Sequence, residues 1–284
     1  MKVKPKRIAS SNNQAVKETA RLKRKRNRYA GRLFLTEGED LLDAALERGV
    51  IPRRVFSLAE FEEKAAERLM RAQAGPGRTS LAGTELFSCP NPVLTRLSGL
   101  GSGSRVISVF SFVDQPLQNL RPAPATGIFL YLAGVADPGN VGTLVRAAAA
   151  FGAGGIILGP GSADPYSSKA LRATMGSIFQ VPVCLNVKLP EMISWASEAG
   201  LGIIAADPHK GGPVWKAGLA NGGVLVLGTE RGGLSRRALA AAGITVKIPQ
   251  KTGAESLNVA MAGSVLLYEA SRQRDERNRA PGKQ

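Results

Sequence analysis

The chain has 284 residues, of which 44% are hydrophobic; the length predicts two domains, and the composition excludes a wholly disordered protein. Its 38 lysines and arginines exceed its 22 acidic residues by 16, and most of this excess lies at the two ends. Residues 1–32 hold 12 cations and 1 acid, and residues 270–284 hold 5 cations and 2 acids, so the long middle part is nearly neutral. A neutral globule with two basic ends predicts a partner with a polyanionic backbone.

Few residues are available for metal or nucleophilic chemistry. Two cysteines, Cys89 and Cys184, cannot build a disulfide framework or a zinc site, and they indicate a reducing compartment. A single histidine, His209, argues against Ser-His-Asp, Cys-His and multi-histidine sites, so we expect no metal. The sequence has neither an apolar run of membrane-spanning length nor the apolar stretch of a signal peptide. We therefore expect a cytoplasmic protein without a membrane contact, with an organelle transit peptide as the alternative.

The N-terminal part of the chain predicts a basic arm followed by a small α/β unit. Residues 12–28 indicate one helix covered with cations, and we expect residues 1–32 to be an arm that follows phosphates, the alternative being a solvated tail. Residues 33–113 alternate strand and helix patterns, with strands at 33–35, 51–57 and 105–112 and helices at 37–48, 59–74 and 92–97. Three prolines and little periodicity make residues 114–126 a linker.

The C-terminal part, residues 127–273, is rich in glycine and alanine, and a basic tail at 274–284 follows it. Its short apolar strands alternate with helices: strands at 128–132, 155–158, 202–205, 223–227 and 245–248, and helices at 140–151, 189–199, 235–241 and 257–272. Continuous apolar strands separated by helices predict a parallel sheet covered on both faces. Ligands of such sheets bind at loops beyond the carboxyl ends of the strands.

The first of three unusual loops at these strand ends reads Asp137-Pro-Gly-Asn and opens a helix. Asn140 stands where an N-cap is expected, and Arg146 follows close to two turns later, roughly on the same face. The rest of this helix is apolar, and an unpaired buried cation would be costly. We therefore expect Arg146 to reach a polar partner or an anion; the alternative is a capped helix with one surface arginine.

The other two loops follow later strands. Residues 228–235 hold three glycines, which permit close backbone approach to a ligand, and Glu230 is their one carboxylate. Residues 248–258 place Ser256 and Asn258 at a helix start, and the small residues of the next turn predict that something packs close against that helix. Neither a dinucleotide-binding nor a P-loop glycine fingerprint occurs, so a nicotinamide dehydrogenase loses its main support.

Together, in this order, the three loops resemble the signature motifs of the SpoU branch of the SPOUT methyltransferases, the RNA ribose 2′-O-methyltransferases. The matching positions are Asp137–Gly142, Arg146–Ala148 and Phe151-Gly152, then Leu227, Gly228, Glu230 and Gly233, then Ile248, Pro249, Gly253 and Ser256–Val259. Phe34-Leu-Thr-Glu-Gly-Glu and the helix after it are similar to the ribosomal-protein-like substrate-binding domain often fused to these enzymes. Three positions differ from the usual family residues: Thr229, Arg231 and Gln250. Of these, Gln250 is expected to alter the cofactor pocket.

The resemblance implies a trefoil-knotted α/β domain with a mainly parallel sheet, preceded by a smaller α/β RNA-binding domain. It also implies a homodimer that binds S-adenosylmethionine in the knot, largely through backbone groups. The implied cofactor contacts are Leu227, Gly228, Ile248 and Leu257. The implied catalytic residues are Arg146, Asn140, Glu230, Ser256 and Asn258. We expect ribosomal RNA in preference to transfer RNA as the substrate.

The expected RNA contacts on the arm are the cations Lys23, Arg24, Lys25, Arg26 and Arg28. A later family pattern holds Lys169, Arg172 and Ser177, which we expect to contact RNA phosphates; the alternative for this pattern is an ordinary amphipathic helix. Because arginine stays protonated, Arg146 is better suited to stabilising an alkoxide or binding a phosphate than to acting as a base. Glu230 is expected to orient Arg146 through an ion pair.

Two further choices stay open in the sequence. The small-residue face Ala260, Ala262, Gly263 and Ser264 predicts close packing in a dimer, or else burial within one chain. The alternative function is a non-catalytic RNA-binding protein on a methyltransferase-like scaffold. Loss of Arg146, Asn140 or Asn258 would favour it, and all three are present.

Overall fold

The computed structural model describes residues 4–74, 80–99, 103–122, 127–251, 253 and 256–279. The first three residues of the expected arm, residues 123–126 of the linker and residues 280–284 of the tail lie outside this part of the chain. Contacts divide the chain into two units, Met1–Phe112 with Tyr166–Phe179, and Val113–Pro165 with Gln180–Gln284. No helix among the described residues is long and apolar enough to cross a membrane.

The first unit is a five-stranded sheet with helices. Its elements are β1 (Lys6–Arg7), α1 (Gln14–Arg21), α2 (Lys25–Gly31), β2 (Leu33–Glu37), α3 (Glu39–Glu47), β3 (Arg54–Leu58), α4 (Glu62–Ala74), β4 (Glu85–Cys89), α5 (Asn91–Leu97) and β5 (Val106–Ser111). The strand order is β1-β4-β3-β5-β2. β1, β4 and β3 run parallel, while β5 pairs antiparallel with β3 and β2. This confirms an α/β unit and adds β4, which the sequence pattern did not indicate.

The basic N-terminal segment is folded into this unit. Val16 and Leu22 are buried in its core, and the single helix expected over residues 12–28 is instead two, α1 and α2. The break is stabilised by Arg28, whose Nη1 donates to the carbonyl oxygens of Leu22 and Lys23, both at 2.9 Å. These carbonyls follow the end of α1 and need such a donor. Arg28 is only 6% exposed, so the expectation that it contacts RNA is wrong.

The second unit carries a seven-stranded sheet. The elements from here to the end of the chain are β6 (Ile128–Leu132), α6 (Pro138–Ala150), β7 (Gly155–Leu158), α7 (Ser168–Thr174), β8 (Val183–Cys184), α8 (Leu189–Glu198), β9 (Ile203–Ala206), β10 (Gly212–Pro213), β11 (Gly223–Leu227), α9 (Arg236–Ala241), β12 (Ile244–Lys247) and α10 (Val259–Arg279). The strand order is β10-β12-β9-β11-β6-β7-β8, and every pair is parallel. The expected parallel sheet is confirmed, whereas α7 belongs by its contacts to the first unit.

The last helix, α10, is packed tightly on α6. A Cβ on Gly263 would lie 2.4 Å from Cδ2 of Leu144 and 2.7 Å from Cδ1 of Leu227, so a larger residue would require these leucine side chains to shift. Arg274 donates through Nη2 to the carbonyl oxygen of Phe151 at 3.1 Å, just past the end of α6. The close packing expected after Asn258 is thus confirmed. The strand order does not decide the trefoil knot, which stays a prediction.

Candidate functional site

A cleft of about 600 Å³ opens where β9, β11 and β12 end. We call it the strand-end cleft; its walls come from the loops after these strands and from the start of α10. Ligands of parallel sheets bind at this edge. All four residues expected at the cofactor line the cleft, as do three of the five expected catalytic residues: Leu227, Gly228, Ile248, Leu257, Glu230, Ser256 and Asn258.

Gly228 closes its own loop. A Cβ at this position would lie 2.2 Å from the carbonyl carbon of Gly233 and 2.6 Å from the nitrogen of Leu234. Thr229 and Gly233 also exchange two backbone hydrogen bonds, at 3.1 and 3.0 Å. The space beside Gly228 is therefore filled by the loop backbone, and the expectation that it is left for a ligand is wrong. Gly228 lines the cleft while allowing this tight turn.

Two side-chain caps fix the helices that border the site. Oδ1 of Asp137 accepts from the backbone nitrogen of Asn140 at 3.0 Å, so Asp137 is the N-cap of α6 and the expectation for Asn140 is wrong. At the start of α10, Oδ1 of Asn258 accepts from the nitrogens of Ala260 and Met261, at 2.8 and 3.3 Å. Capping by Asp137 leaves the Asn140 side chain to make other bonds.

Asn140 links the three sequence motifs through its side-chain amide. Its Nδ2 donates to Oε1 of Glu230 at 3.0 Å, and its Oδ1 accepts from Nδ2 of Asn258 at 3.1 Å. One amide thus joins the loop after β6, the loop after β11 and the start of α10. The structure brings these three predicted residues together, and a change in any of them removes a bond that positions the others.

Glu230 anchors the loop that precedes α6. Burial raises the pKa of Glu230, but hydrogen bonds from the Asn140 amide and from the backbone nitrogens of Ala136 and Asp137 together lower this pKa below its ordinary value. The two backbone bonds are long, at 3.5 and 3.4 Å. Glu230 is therefore ionised at neutral pH, where a carboxylate with a lowered pKa accepts protons poorly. Its geometry suits positioning.

Arg146 lies on the exposed face of α6. Six residues at about 100° each turn it by about 120° from Asn140, so the expectation of a shared face is wrong. The expected pair with Glu230 is not formed, because that carboxylate bonds to Asn140. Within the described residues the Arg146 side chain has no hydrogen bond or ion pair. Arg146 is therefore not a buried cation, and its guanidinium faces solvent, where an anion can reach it.

Most of the residues that we expect to contact RNA lie in the first unit and are exposed to solvent. This holds for the four residues Lys23–Arg26, which we call the basic segment, and for Lys169 and Arg172 on α7. Lys23 also donates through Nζ to the carbonyl oxygen of Arg96 at 2.6 Å. Ser177 is buried, so the expectation that it contacts a phosphate is wrong.

The strand-end cleft also contains a loop that the sequence motifs did not single out. Residues 207–210 follow β9 and line the cleft. Oδ1 of Asp207 accepts from the backbone nitrogens of His209 and Lys210, at 2.8 and 3.0 Å, which fixes the turn. Its position could have indicated this loop, because it follows β9, a strand that lies beside β11 in the sheet.

Comparison with known proteins agrees with this geometry. Residues 127–268 match the SpoU rRNA Methylase family, and residues 13–107 match the MRM3-like substrate binding domain. An uncharacterized tRNA/rRNA methyltransferase of Synechocystis sp. is 33% identical over 94% of this chain and 93% of its own length. The 23S rRNA guanosine 2′-O-methyltransferase RlmP of Bacillus subtilis is 27% identical over 93% and 98%. A crystal structure of an AdoMet-bound rRNA methyltransferase from Sinorhizobium meliloti aligns with a TM-score of 0.82 at 30% identity, covering 94% of this chain and 97% of that one. The chain belongs to the SpoU rRNA methylase family.

Proposed function

We propose that this chain transfers a methyl group from S-adenosylmethionine to a ribose 2′-hydroxyl of RNA, with ribosomal RNA as the substrate. The observation that carries the proposal is the strand-end cleft, where the three motifs meet through Asn140, Glu230 and Asn258. The relatives named for rRNA or 2′-O methylation support it, and so does the match of residues 13–107 to a substrate-binding domain.

The residues of the strand-end cleft fit S-adenosylmethionine. The volume of about 600 Å³ lies within the range of small-molecule sites. Leu227, Leu239 and Leu257 supply apolar walls. The charged side chains of the lining are of both signs: the carboxylates Asp207 and Glu230, and the cations Lys210, Arg231 and Lys247. When bound, the cofactor supplies a methyl group on a positively charged sulfur. The chain itself supplies the shape and the charge of the site.

The candidate catalytic residues divide into positioning groups and one exposed cation, Arg146. Asn140, Glu230 and Asn258 fix the loops on which a ribose would be oriented, and orientation is a main requirement of such a displacement. Arg146 stabilises a developing alkoxide or holds the adjacent phosphate. The scaffold-only alternative draws no support, because the open cleft and the hydrogen-bonded motif residues are both present.

The low reactivity of the two cysteines also supports a ribose target rather than a base. Cys89 and Cys184 are free and buried, and burial raises the pKa of each thiol to about 12. Neither thiol is therefore a nucleophile for covalent attack on a base at neutral pH. A reduced state of both cysteines also agrees with the proposed cytoplasmic location.

The chemical product tests the proposal. RNA methylated by the purified chain with radiolabelled cofactor should yield, after alkaline hydrolysis, the label in dinucleotides, because a methylated ribose lacks the hydroxyl that cleaves the next bond. Mass spectrometry of rRNA and tRNA from cells with and without the gene identifies the nucleotide. Label that appears only in mononucleotides with a methylated base would contradict a ribose target.

We also propose a homodimer, but with a different surface from the one expected from sequence. Ala260 and Gly263 are buried inside the chain, so the small-residue face is not available to a partner. Met261, Val265 and Tyr268 instead form an exposed apolar stripe along α10; these residues are 59%, 41% and 54% exposed. Residues at this spacing share one helix face, and covering it would remove apolar area from water.

Val265→Asp should convert the dimer to a monomer, because a carboxylate in the centre of the stripe would be buried without a partner. Light scattering at micromolar concentration measures the change. Ile244→Asp is the matched control, since Ile244 is exposed on β12 rather than on α10. A monomeric unmodified chain, or a Val265→Asp variant that stays dimeric, would contradict this surface.

A further inference from the structure

A second cleft, of about 560 Å³, lies in the first unit, and methyl transfer leaves it without a role. Its walls come from α1, the turn after α2, the starts of β3 and β4 and the end of β5. We call it the arginine cleft, because Arg32, Arg53 and Arg54 all line it. All of its residues belong to the unit that matches a substrate-binding domain.

One of the three arginines is neutralised within the cleft. Arg54 donates through Nη1 to Glu18 at 2.9 Å and through Nε to Glu85 at 3.1 Å. Lys6 makes a further ion pair with Glu85 at 2.9 Å. Both carboxylates in the cleft wall are therefore occupied, and Arg54 serves to hold α1 against the sheet.

Arg53 offers its charge to the opening. Its side chain is exposed and makes one hydrogen bond within the described residues, from Nε to Oγ of Ser111 at 3.1 Å. The two terminal nitrogens of the guanidinium make no hydrogen bond within the described residues and can donate to an anion. A guanidinium with two open donors matches the geometry of a phosphate.

Arg32 lies over an aromatic ring. Its guanidinium lies 5.1 Å from the centroid of Phe112, whose ring also stacks with Tyr166 at 4.0 Å. The backbone of Arg32 is left-handed, with φ of +48°, and this places the side chain at the cleft rather than along β2. A guanidinium plane supported in this way is a platform on which a base can stack.

A row of alternating cations and rings joins the arginine cleft to the basic segment. Lys25 lies over the ring of Tyr29 at 5.4 Å, and Tyr29 contacts Phe112 edge-on at 5.2 Å. Phe112 in turn carries Arg32. Proteins bind single-stranded nucleic acid with this combination, since cations follow the phosphates while rings and guanidinium planes stack with bases.

We infer that the arginine cleft binds one nucleotide from a single-stranded segment of the substrate RNA. The phosphate lies at Arg53, the base stacks on the outer face of Arg32, and the strand continues past Tyr29 towards the basic segment. The inference rests on the proposed function only in taking RNA as the substrate. It adds a nucleotide site in the first unit, apart from the ribose that is methylated.

The test measures binding of the full chain to a labelled single-stranded RNA of about ten nucleotides by fluorescence anisotropy at several salt concentrations. Arg53→Gln keeps a donor for Ser111, and Arg32→Asn keeps a residue that tolerates left-handed backbone. Each variant should bind about fivefold more weakly. Arg53→Gln should also reduce the salt slope by about 0.7. Arg71→Gln is the control, because Arg71 is exposed on α4 and does not line the cleft.

Thermal unfolding and cofactor titration show whether the variants keep the fold. If Arg32→Asn does not keep the fold, the RNA affinity of Arg53→Gln alone tests the inference. Binding by both variants equal to that of Arg71→Gln, or no binding of the single strand by the unmodified chain, would overturn the inference. So would an equal preference for a duplex of the same sequence. Anisotropy needs no methyl transfer, so a chain that binds RNA through these arginines yet transfers no methyl group would refute the proposed function alone.

Discussion

Replacing Arg146 by alanine is expected to slow methyl transfer severely and to leave the fold and the cofactor affinity unchanged. Arg146 is exposed and has no hydrogen bond or ion pair in the described part of the chain, so its removal takes neither kind of bond from the folded state. The strand-end cleft is lined by other residues. Loss of one preorganised charge at a reacting oxygen costs about 100- to 1,000-fold in rate. Single-turnover methylation of RNA, thermal unfolding and cofactor titration measure the three properties.

Two variants make this result interpretable. Arg146→Lys keeps the charge but not the planar fork, so partial recovery would indicate electrostatic stabilisation and no recovery would indicate a bidentate grip on phosphate. Arg237→Ala, which removes an exposed arginine from α9, should methylate normally. Near-normal turnover by Arg146→Ala would remove this residue from the mechanism. Weaker cofactor binding by the same variant would assign it to the cofactor site.

The sheet of the second unit could be predicted from sequence because its central strands are continuous apolar runs. Ile128–Leu132 and Gly223–Leu227 have the expected bounds. β8 and β10 were missed because each has two residues, too few to show a periodicity. β4 is longer and was also missed, although its five residues resemble those of β3, which was predicted.

The contents of the strand-end cleft were predictable, whereas the bonds inside it were not. Parallel strands share one carboxyl edge, so motifs after β11 and β12 had to meet, and Leu227, Ile248 and Leu257 do so. The partner of Glu230 depended on distances between loops. The helical rotation between Asn140 and Arg146 turns Arg146 away from Glu230. Because Asp137 caps α6, the Asn140 side chain is left to donate a hydrogen bond to the Glu230 carboxylate.

The role of the N-terminal cations illustrates what composition alone cannot decide. A count of charges on residues 1–32 does not show that Ile8, Val16 and Leu22 are buried in the core of the first unit. Nor does it distinguish Arg28, which donates to backbone carbonyls, from its exposed neighbours. Deletion of residues 1–32 would remove β1, α1 and α2, so it would test folding more than RNA binding.

Replacing Lys23, Arg24, Lys25 and Arg26 together by glutamine is expected to weaken RNA binding at least tenfold and to flatten its dependence on salt. The four side chains are exposed, so the core of the unit stays in place. Each phosphate contact on a single strand contributes about −0.7 to the slope of log affinity against log salt, so the slope should change by up to about 2.8. Anisotropy between about 50 and 200 mM salt measures both quantities.

The matched control replaces Lys64 and Arg71, two exposed cations of α4, by glutamine and should leave the slope nearly unchanged. Cofactor affinity should be the same in all variants, because the strand-end cleft contains none of these residues. An unchanged slope in the fourfold variant would show that the basic segment does not contact phosphate. The RNA affinity would then have to come from other exposed cations, and Lys169 and Arg172 on α7 would be the next pair to replace. A slope reduced by the control in proportion to the two charges that it removes would show that net charge, rather than a particular surface, determines binding.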